Sequence, residues 1–274
     1  MPEGPEIRRV ADRLQRAIGG RRLADVRFAH EHLKPHEDEL RGSAVERVTS
    51  RGKALVTYFD NGRALYTHNQ LYGVWRVCAA GKPPRTARSL RVALETAERW
   101  ALLYSASEIE VLDAEDVEEH PFVAKLGPDL LDRTTSVDAV VERLGDPRFA
   151  RRTLGALLLD QGFLAGVGNY LRSEILFFAG LDAARKPRDL TDAQRRELAS
   201  QAVGVTRRAY RTGGLTEAPE ALAAAKAAGE PRRSYRHAVF GRAGAPCRRC
   251  GRQVRREEVA GRRLYRCTGC QRRR

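Results

Sequence analysis

The sequence predicts an α+β chain of two domains with a small metal-binding module at the C-terminal end, and three observations predict it. One helix-period stretch opens the chain. A series of period-two segments fills most of the next hundred residues. Helical periodicity then takes over from about residue 136 and ends in four paired cysteines.

The opening helix is read at residues 5–18, where Ile7, Val10, Ala11, Leu14 and Ile18 share one face and Gly19-Gly20 stops it. Strands are expected at 45–48, 54–59, 63–67, 73–78, 90–96, 100–105 and 109–112, with Asp60-Asn61-Gly62 as a hairpin turn. So many antiparallel strands at short spacing predict a sandwich or a barrel. The stretch 113–132 is acidic, carries Pro121 and Pro128, and reads as a linker. Helices follow at 137–144, 149–160, 170–179 and 193–212. The Ala-rich stretch 218–229 is compatible with a helix or with loose order. The expected domains are 1–115, a linker 116–132, a helical domain 133–232 and a cysteine module 237–274.

The chain has 274 residues and a net charge of +15. From Arg232 to Arg274 there are 15 Arg, no Lys and 2 acids, a net +13, so the preceding 231 residues carry only +2. A field concentrated this way favours a polyanion, through phosphate contacts and counterion release. A solubilising tail has the same composition. Arg outnumbers Lys 44 to 6 throughout, so arginine identity alone distinguishes no position. Glu3 and Glu6 stand where the apolar part of a signal peptide would begin. The most apolar stretch, 154–178, is interrupted by Asp160, Arg172 and Glu174. The expectation is a bacterial cytoplasmic protein with no membrane association.

Cys247-x2-Cys250, sixteen residues, then Cys267-x2-Cys270 has the spacing of a tetrahedral four-thiolate zinc site. Two disulfides are the alternative, which a reducing compartment disfavours. One zinc with four protein ligands has no open position for substrate, so its expected role is structural: it folds an Arg-loaded hairpin between residues 252 and 266. Cys78 stands alone in a strand-like run and reads as a small buried hydrophobe.

The segment Gln161-Gly-Phe-Leu-Ala-Gly-Val-Gly-Asn169 joins two apolar helices. Its glycines would let backbone amides approach an anion, with Asn169 at the N-cap; a plain helix-packing joint fits equally well. At the N-terminus, Pro2 and Glu3 suit an ordinary first helical turn. A second reading needs the loss of Met1, after which Pro2 presents a secondary amine. An α-amino group titrates at about 7.7–8.0, so a useful fraction is neutral and nucleophilic near neutral pH. Attack on an electrophilic carbon yields an iminium that labilises bonds β to it.

Together these features resemble the formamidopyrimidine-DNA glycosylase/endonuclease VIII family over essentially the whole chain. The opening Pro2-Glu3-Gly4-Pro5-Glu6-Ile7-Arg8-Arg9 and the segment Tyr66-Thr67-His68-Asn69-Gln70-Leu71-Tyr72-Gly73-Val74-Trp75 look most like its endonuclease VIII branch. Residues 161–169 look like the family's helix–two-turn–helix, and the four cysteines like its zinc finger. The resemblance implies an N-terminal β-sandwich with a leading α-helix, and a helix–two-turn–helix domain carrying a four-Cys zinc-finger hairpin. It implies that a monomer binds damaged double-stranded DNA in a cleft between the two.

It also implies residue roles. Pro2 attacks the sugar C1′, Glu3 is the general acid that opens the sugar ring, Lys53 assists β-elimination and Arg262 assists δ-elimination. Lys125 and Asn169 bind the DNA backbone. Gln70, Leu71 and Tyr72 form a wedge that fills the space left by a flipped nucleotide. Without the resemblance, Lys53 reads as a surface lysine and the wedge as core packing. Two departures stand out: position 125 is Lys rather than Arg, and Arg262 is followed by Arg263, with Arg262 favoured because it lies five residues before Cys267. The function implied is excision of oxidised pyrimidines followed by β,δ-elimination. Alternatives are oxidised-purine specificity on the same scaffold, a catalytically silent DNA-binding protein, and an RNA-binding or ribosome-associated zinc protein.

Overall fold

The computed structural model describes residues 2–272, which form two compact units that divide between Lys125 and Leu126. The first opens with α1 (Gly4–Ile18), where Glu3 and Glu6 close a reciprocal capping box: Glu3 N–H donates to the Glu6 carboxylate at 3.0 Å. Ile7, Ala11, Leu14 and Ile18 are buried at helical spacing, and Val10 is partly buried beside them.

Eight strands follow: β1 (Leu23–Phe28), β2 (Val45–Arg51), β3 (Ala54–Phe59), β4 (Arg63–His68), β5 (Val74–Ala79), β6 (Leu90–Thr96), β7 (Arg99–Tyr104) and β8 (Glu108–Asp113), with a short α2 (Pro35–Leu40) between the first two. They make two antiparallel four-stranded sheets, ordered β1-β6-β7-β5 and β2-β3-β4-β8. The stripe of α1 shares one core with residues of both sheets, among them Phe28, Val48, Leu55, Leu65, Trp75, Val92, Leu103 and Ile109. Burying each such side chain contributes about 1.5–3 kcal/mol.

Strand β1 escapes the period-two pattern because a bulge shifts its register between Leu23 and Asp25, which leaves buried Leu23 out of phase with buried Val26 and Phe28. Strand β3 is buried on both faces. Its second face lies under residues 114–125, where Val117 and Val123 pack with Ala54, Val56, Tyr58 and Tyr66. Of the stretch read as a linker, Val117, His120 and Val123 are thus buried in the first unit's packing, while Leu130 belongs to the core of the second.

The second unit contains α3 (Val137–Gly145), α4 (Leu154–Leu157), α5 (Asn169–Phe178), α6 (Asp192–Thr212), α7 (Pro219–Ala227), α8 (Arg232–Tyr235) and the hairpin β9 (Val254–Val259)–β10 (Arg262–Cys267). The helix expected over 149–160 shrinks to the single turn of α4. Its leading N–H groups are taken by a neighbouring segment, Leu154 N–H donating to Arg185 O and Gly155 N–H to Ala183 O. The glycine-punctuated turn is held by the Gln161 amide, which donates to Leu159 O and Val167 O and accepts from Gly166 N–H. Gly166 has φ +86°, a conformation glycine tolerates. Residue 127 packs so closely on this turn that a Cβ there would lie 2.5 Å from Phe163 O and 2.6 Å from Gly162 O.

Two charges are buried in α5. Glu174 accepts four hydrogen bonds, from Thr216 Oγ1, Ala238 N–H, Val239 N–H and Phe240 N–H at 2.6–2.8 Å. His237 Nδ1 lies 2.9 Å from Thr216 Oγ1. Thr216 gives its proton to Glu174, so His237 Nδ1–H is the donor to Thr216. Burial, then the Arg236 charge, pulls His237 down to about 3.

Two outcomes follow from this packing. Gly127→Ala should destabilise the second unit by about 1–3 kcal/mol, because backbone oxygens must move. Gly145→Ala, with nothing within 4 Å of its added carbon, should stay within about 0.5 kcal/mol of the parent in urea unfolding. Equal midpoints for the two would contradict the geometry. Second, neutral His237 is native while the unfolded chain takes up a proton below about 6.5, so stability should rise with pH between about 3 and about 6.5 and level off above. Urea midpoints against pH should show this limb, and His237→Asn should flatten it.

Candidate nucleic-acid interface and catalytic residues

Pro2 is partly exposed and directly precedes the capping box; Met1 lies outside the described residues. Glu3 is 3% exposed, so its carboxylate sits in a shielded position at the head of a helix whose buried stripe is locked into the sandwich. Asp and Glu are favoured there by the helix dipole.

Lys53 occupies the second position of the two-residue Gly52-Lys53 turn between β2 and β3. Gly52 has φ +58°, the positive value that a tight hairpin needs at its first loop residue. Lys53 is only 9% exposed, which distinguishes it from an ordinary surface lysine. Its charge is felt at His68, which is pulled below the usual imidazole range chiefly by burial and also by Lys53, against the opposing pull of Glu108.

Gln70, Leu71 and Tyr72 do not form a hairpin tip. Strand β4 belongs to one sheet and β5 to the other, so residues 69–73 carry the chain from sheet to sheet. Leu71 and Tyr72 are 58% and 66% exposed and are the exposed large hydrophobics among the described residues. Core packing is therefore excluded for both. The loop is closed by Gly73 N–H donating to Asn69 O at 2.7 Å and by Arg88 Nη1 donating to Tyr72 O at 2.8 Å. Lys125 is exposed at the end of the first unit.

In the second unit, Asn169 is the first residue of α5 rather than its N-cap. Gly168 holds the cap position with extended dihedrals. The Asn169 side chain faces inward through Oδ1, which accepts from Arg172 Nη2 at 2.8 Å. A guanidinium offers donors only, so the amide oxygen must face it and the NH2 group must face away. The same buried guanidinium donates to Gly155 O and Val259 O at 2.9 and 3.0 Å, and to Arg262 O and Arg263 O at 3.3 and 3.2 Å. Arg172 thus fastens the tip of the β9–β10 hairpin to α5. A Cβ on Gly155 would meet Val259 Cγ1 at 2.8 Å, so the fit there is close. The signal for Arg172 was present in the sequence as a charge inside the apolar stretch 154–178. His68 and Glu108, which surround Lys53 and Gln70, left no such signal.

Arg262 is exposed and opens β10 directly after the Ala260-Gly261 turn, whose residues have φ +54° and +67°. Arg263 pairs with Glu258 in the ladder and Arg262 with Val259.

The sulfurs of Cys247, Cys250, Cys267 and Cys270 all lie within 4.8 Å of one another, a group able to hold a metal ion. Cys250–Cys267 and Cys247–Cys270 are 3.3 and 3.9 Å apart. Zn–S bonds of about 2.3 Å in a tetrahedron put sulfurs about 3.8 Å apart, whereas a disulfide needs about 2.05 Å. Gly269 leaves the space such a centre needs, since a Cβ there would lie 2.8 Å from Cys250 Sγ. The Arg252 N–H donating to Cys250 pulls that thiol down to about 7.

No helix among the described residues is long and apolar enough to cross a membrane. The formamidopyrimidine-DNA glycosylase N-terminal domain family matches residues 1–107, and the formamidopyrimidine-DNA glycosylase H2TH domain family matches residues 126–219. Among curated proteins, Endonuclease 8 of Salmonella paratyphi B is 47% identical over 271 residues, covering 99% of this chain and 100% of that protein. Endonuclease 8 of an Escherichia coli strain is 48% identical with the same coverage. Among solved structures, wild-type Lactococcus lactis Fpg (MutM) in complex with DNA containing N7-benzyl-Fapy-dG superposes with a TM-score of 0.82 at 21% identity, covering 99% of this chain and 100% of that one. MutM in complex with DNA containing carbocyclic 8-oxo-G gives the same TM-score and coverage at 20%. At that identity these two report the fold. The family matches and the full-length identity report more: the chain belongs to the formamidopyrimidine-DNA glycosylase/endonuclease VIII family of DNA glycosylase/AP lyases.

Proposed function

We propose that this chain excises oxidised pyrimidines from double-stranded DNA and then cuts the strand by β,δ-elimination, working as a monomer in a bacterial cytoplasm. The observation that carries the reading is the Pro2–Glu3 pair, a nucleophile candidate beside a shielded carboxyl group at the start of α1. Once Met1 is removed, the Pro2 nitrogen lone pair attacks C1′ of a flipped nucleotide and the C1′–base bond breaks. Glu3 delivers a proton to the ring oxygen, and the ring opens to an iminium. Loss of a C2′ proton breaks the C3′–O bond and expels the 3′ phosphate, an elimination that the Lys53 cation assists. A second elimination, with loss of the C4′ proton, breaks the C5′–O bond and expels the 5′ phosphate, Arg262 holding the departing oxyanion; water then hydrolyses the iminium, which frees Pro2 and releases the sugar fragment. A one-nucleotide gap with phosphates on both sides remains.

The wedge offsets the unstacking cost, a few kcal/mol, with Leu71 and Tyr72, whose exposed apolar surface gains a partner only when DNA opens. Asn169, with its NH2 group turned outward, and Lys125 donate to phosphates. The four cysteines hold one structural zinc, which supplies folding energy to the hairpin that carries Arg262.

Borohydride should trap a covalent adduct between the mature chain and abasic DNA, and a chain that retains Met1, in which the Pro2 nitrogen is an amide, should lose the Pro2 adduct. Mass spectrometry of the tryptic adduct should place the crosslink on Pro2. Absence of any adduct on lesion-bearing or abasic DNA would sink the enzymatic reading. Thymine glycol should be excised faster than 8-oxoguanine; the reverse order assigns the chain to oxidised purines. Elemental analysis should give about one zinc per chain, coordinated fourfold, and Cys270→Ser should lower metal content and DNA affinity together. Full metal loss with unchanged affinity would argue against the structural role.

A further inference from the structure

We propose that Glu108 is a positioning residue for the wedge: it grips the Gln70 amide and so presets the turn from which Leu71 and Tyr72 project. The proposal rests on the wedge reading above. Gln70 has φ +45°, a left-handed conformation that a residue with a side chain adopts only when its surroundings enforce it. Three contacts do so. Gln70 N–H donates to His68 Nδ1 at 3.1 Å, Gln70 Nε2 donates to Glu108 Oε2 at 2.7 Å, and Ser107 Oγ donates to Gln70 Oε1 at 3.2 Å. Both ends of the amide are matched to partners of the right polarity, so a flipped amide would face a carboxylate with its oxygen.

Glu108 is itself anchored. It opens β8 opposite His68 in the β4–β8 ladder, and its other oxygen accepts from the buried Tyr66 hydroxyl at 3.2 Å. Its contact with Gln70 is charge-assisted, the stronger kind of hydrogen bond. A carboxylate beside a loop that meets DNA works against phosphate binding. Its contribution is therefore to the loop and not to the polymer. Fixing the turn before DNA arrives lowers the ordering cost of insertion, so the benefit falls on opening the duplex and not on the chemistry at C1′.

The test is a double-mutant cycle on single-turnover excision of thymine glycol from duplex DNA, with 2-aminopurine next to the lesion reporting duplex opening. Glu108→Ala should slow opening and excision about three- to tenfold. Glu108→Gln, which keeps an acceptor, should recover most of the rate. In a Gln70→Ala background, Glu108→Ala should add nothing. Borohydride trapping on single-stranded abasic DNA, where there is no duplex to open, should keep its rate in Glu108→Ala. If Glu108→Ala proves poorly folded, Ser107→Ala removes the other half of the grip and should act in the same direction. Additive effects in the cycle, or an equal slowing on single strands, overturn the proposal and leave the wedge reading intact. A Gln70→Ala variant that opens duplexes at the parental rate overturns this proposal alone, whereas a Leu71→Ala/Tyr72→Ala variant that does so removes the wedge reading, and this proposal with it.

Discussion

The second unit is organised around one buried guanidinium. Arg172 is fully buried in α5, and such a charge is tolerated only when its donors are satisfied. Here Nη1 and Nη2 donate to backbone carbonyls of α4, of the β9 end and of the β10 start, and to the Asn169 amide oxygen. Three of the carbonyls, from Val259, Arg262 and Arg263, lie on either side of the Ala260-Gly261 turn, so the charge fixes the hairpin tip. A lysine has neither the reach nor the planar fork to span all five acceptors. One side chain thereby orients the Asn169 amide and pins the hairpin tip from which Arg262 projects.

The first unit reaches a similar end by apolar means. The α1 stripe is part of the sandwich core, so the first helical turn cannot drift, and the reciprocal Glu3–Glu6 cap fixes the backbone that follows Pro2. A residue near a chain terminus is normally a poorly ordered one. Placing it directly ahead of a core helix removes that weakness. Lys53 is restrained in the same spirit, by a two-residue turn whose geometry Gly52 permits, and by burial that leaves a small part of its surface open.

Much of this was legible in the sequence wherever one periodicity governed a segment. Helix α1, the later strands and α6 follow their patterns to within a residue or two. The pattern failed where tertiary partners replaced local ones. In the helix expected at 149–160, the N–H groups of Leu154 and Gly155 turn to Arg185 and Ala183, and β1 was hidden by the bulge between Leu23 and Asp25. The four cysteines were readable from spacing alone, because ligand geometry dictates spacing. Pro2 was not, since local rules make it a helix-starting residue, and only the motifs around it point to chemistry.

Leu71 and Tyr72 show why the candidate site was less legible than the fold. By composition, Leu71 and Tyr72 belong in a core, and no periodicity says otherwise. They are exposed because the loop crosses between sheets at a place where the backbone is held by polar contacts from residues far apart in sequence, Arg88, Ser107 and Glu108. Such exposure costs solubility and stability in the free protein. It is sustained because the surrounding hydrogen bonds keep the loop from collapsing onto the sandwich, which leaves apolar surface available for a partner that can bury it.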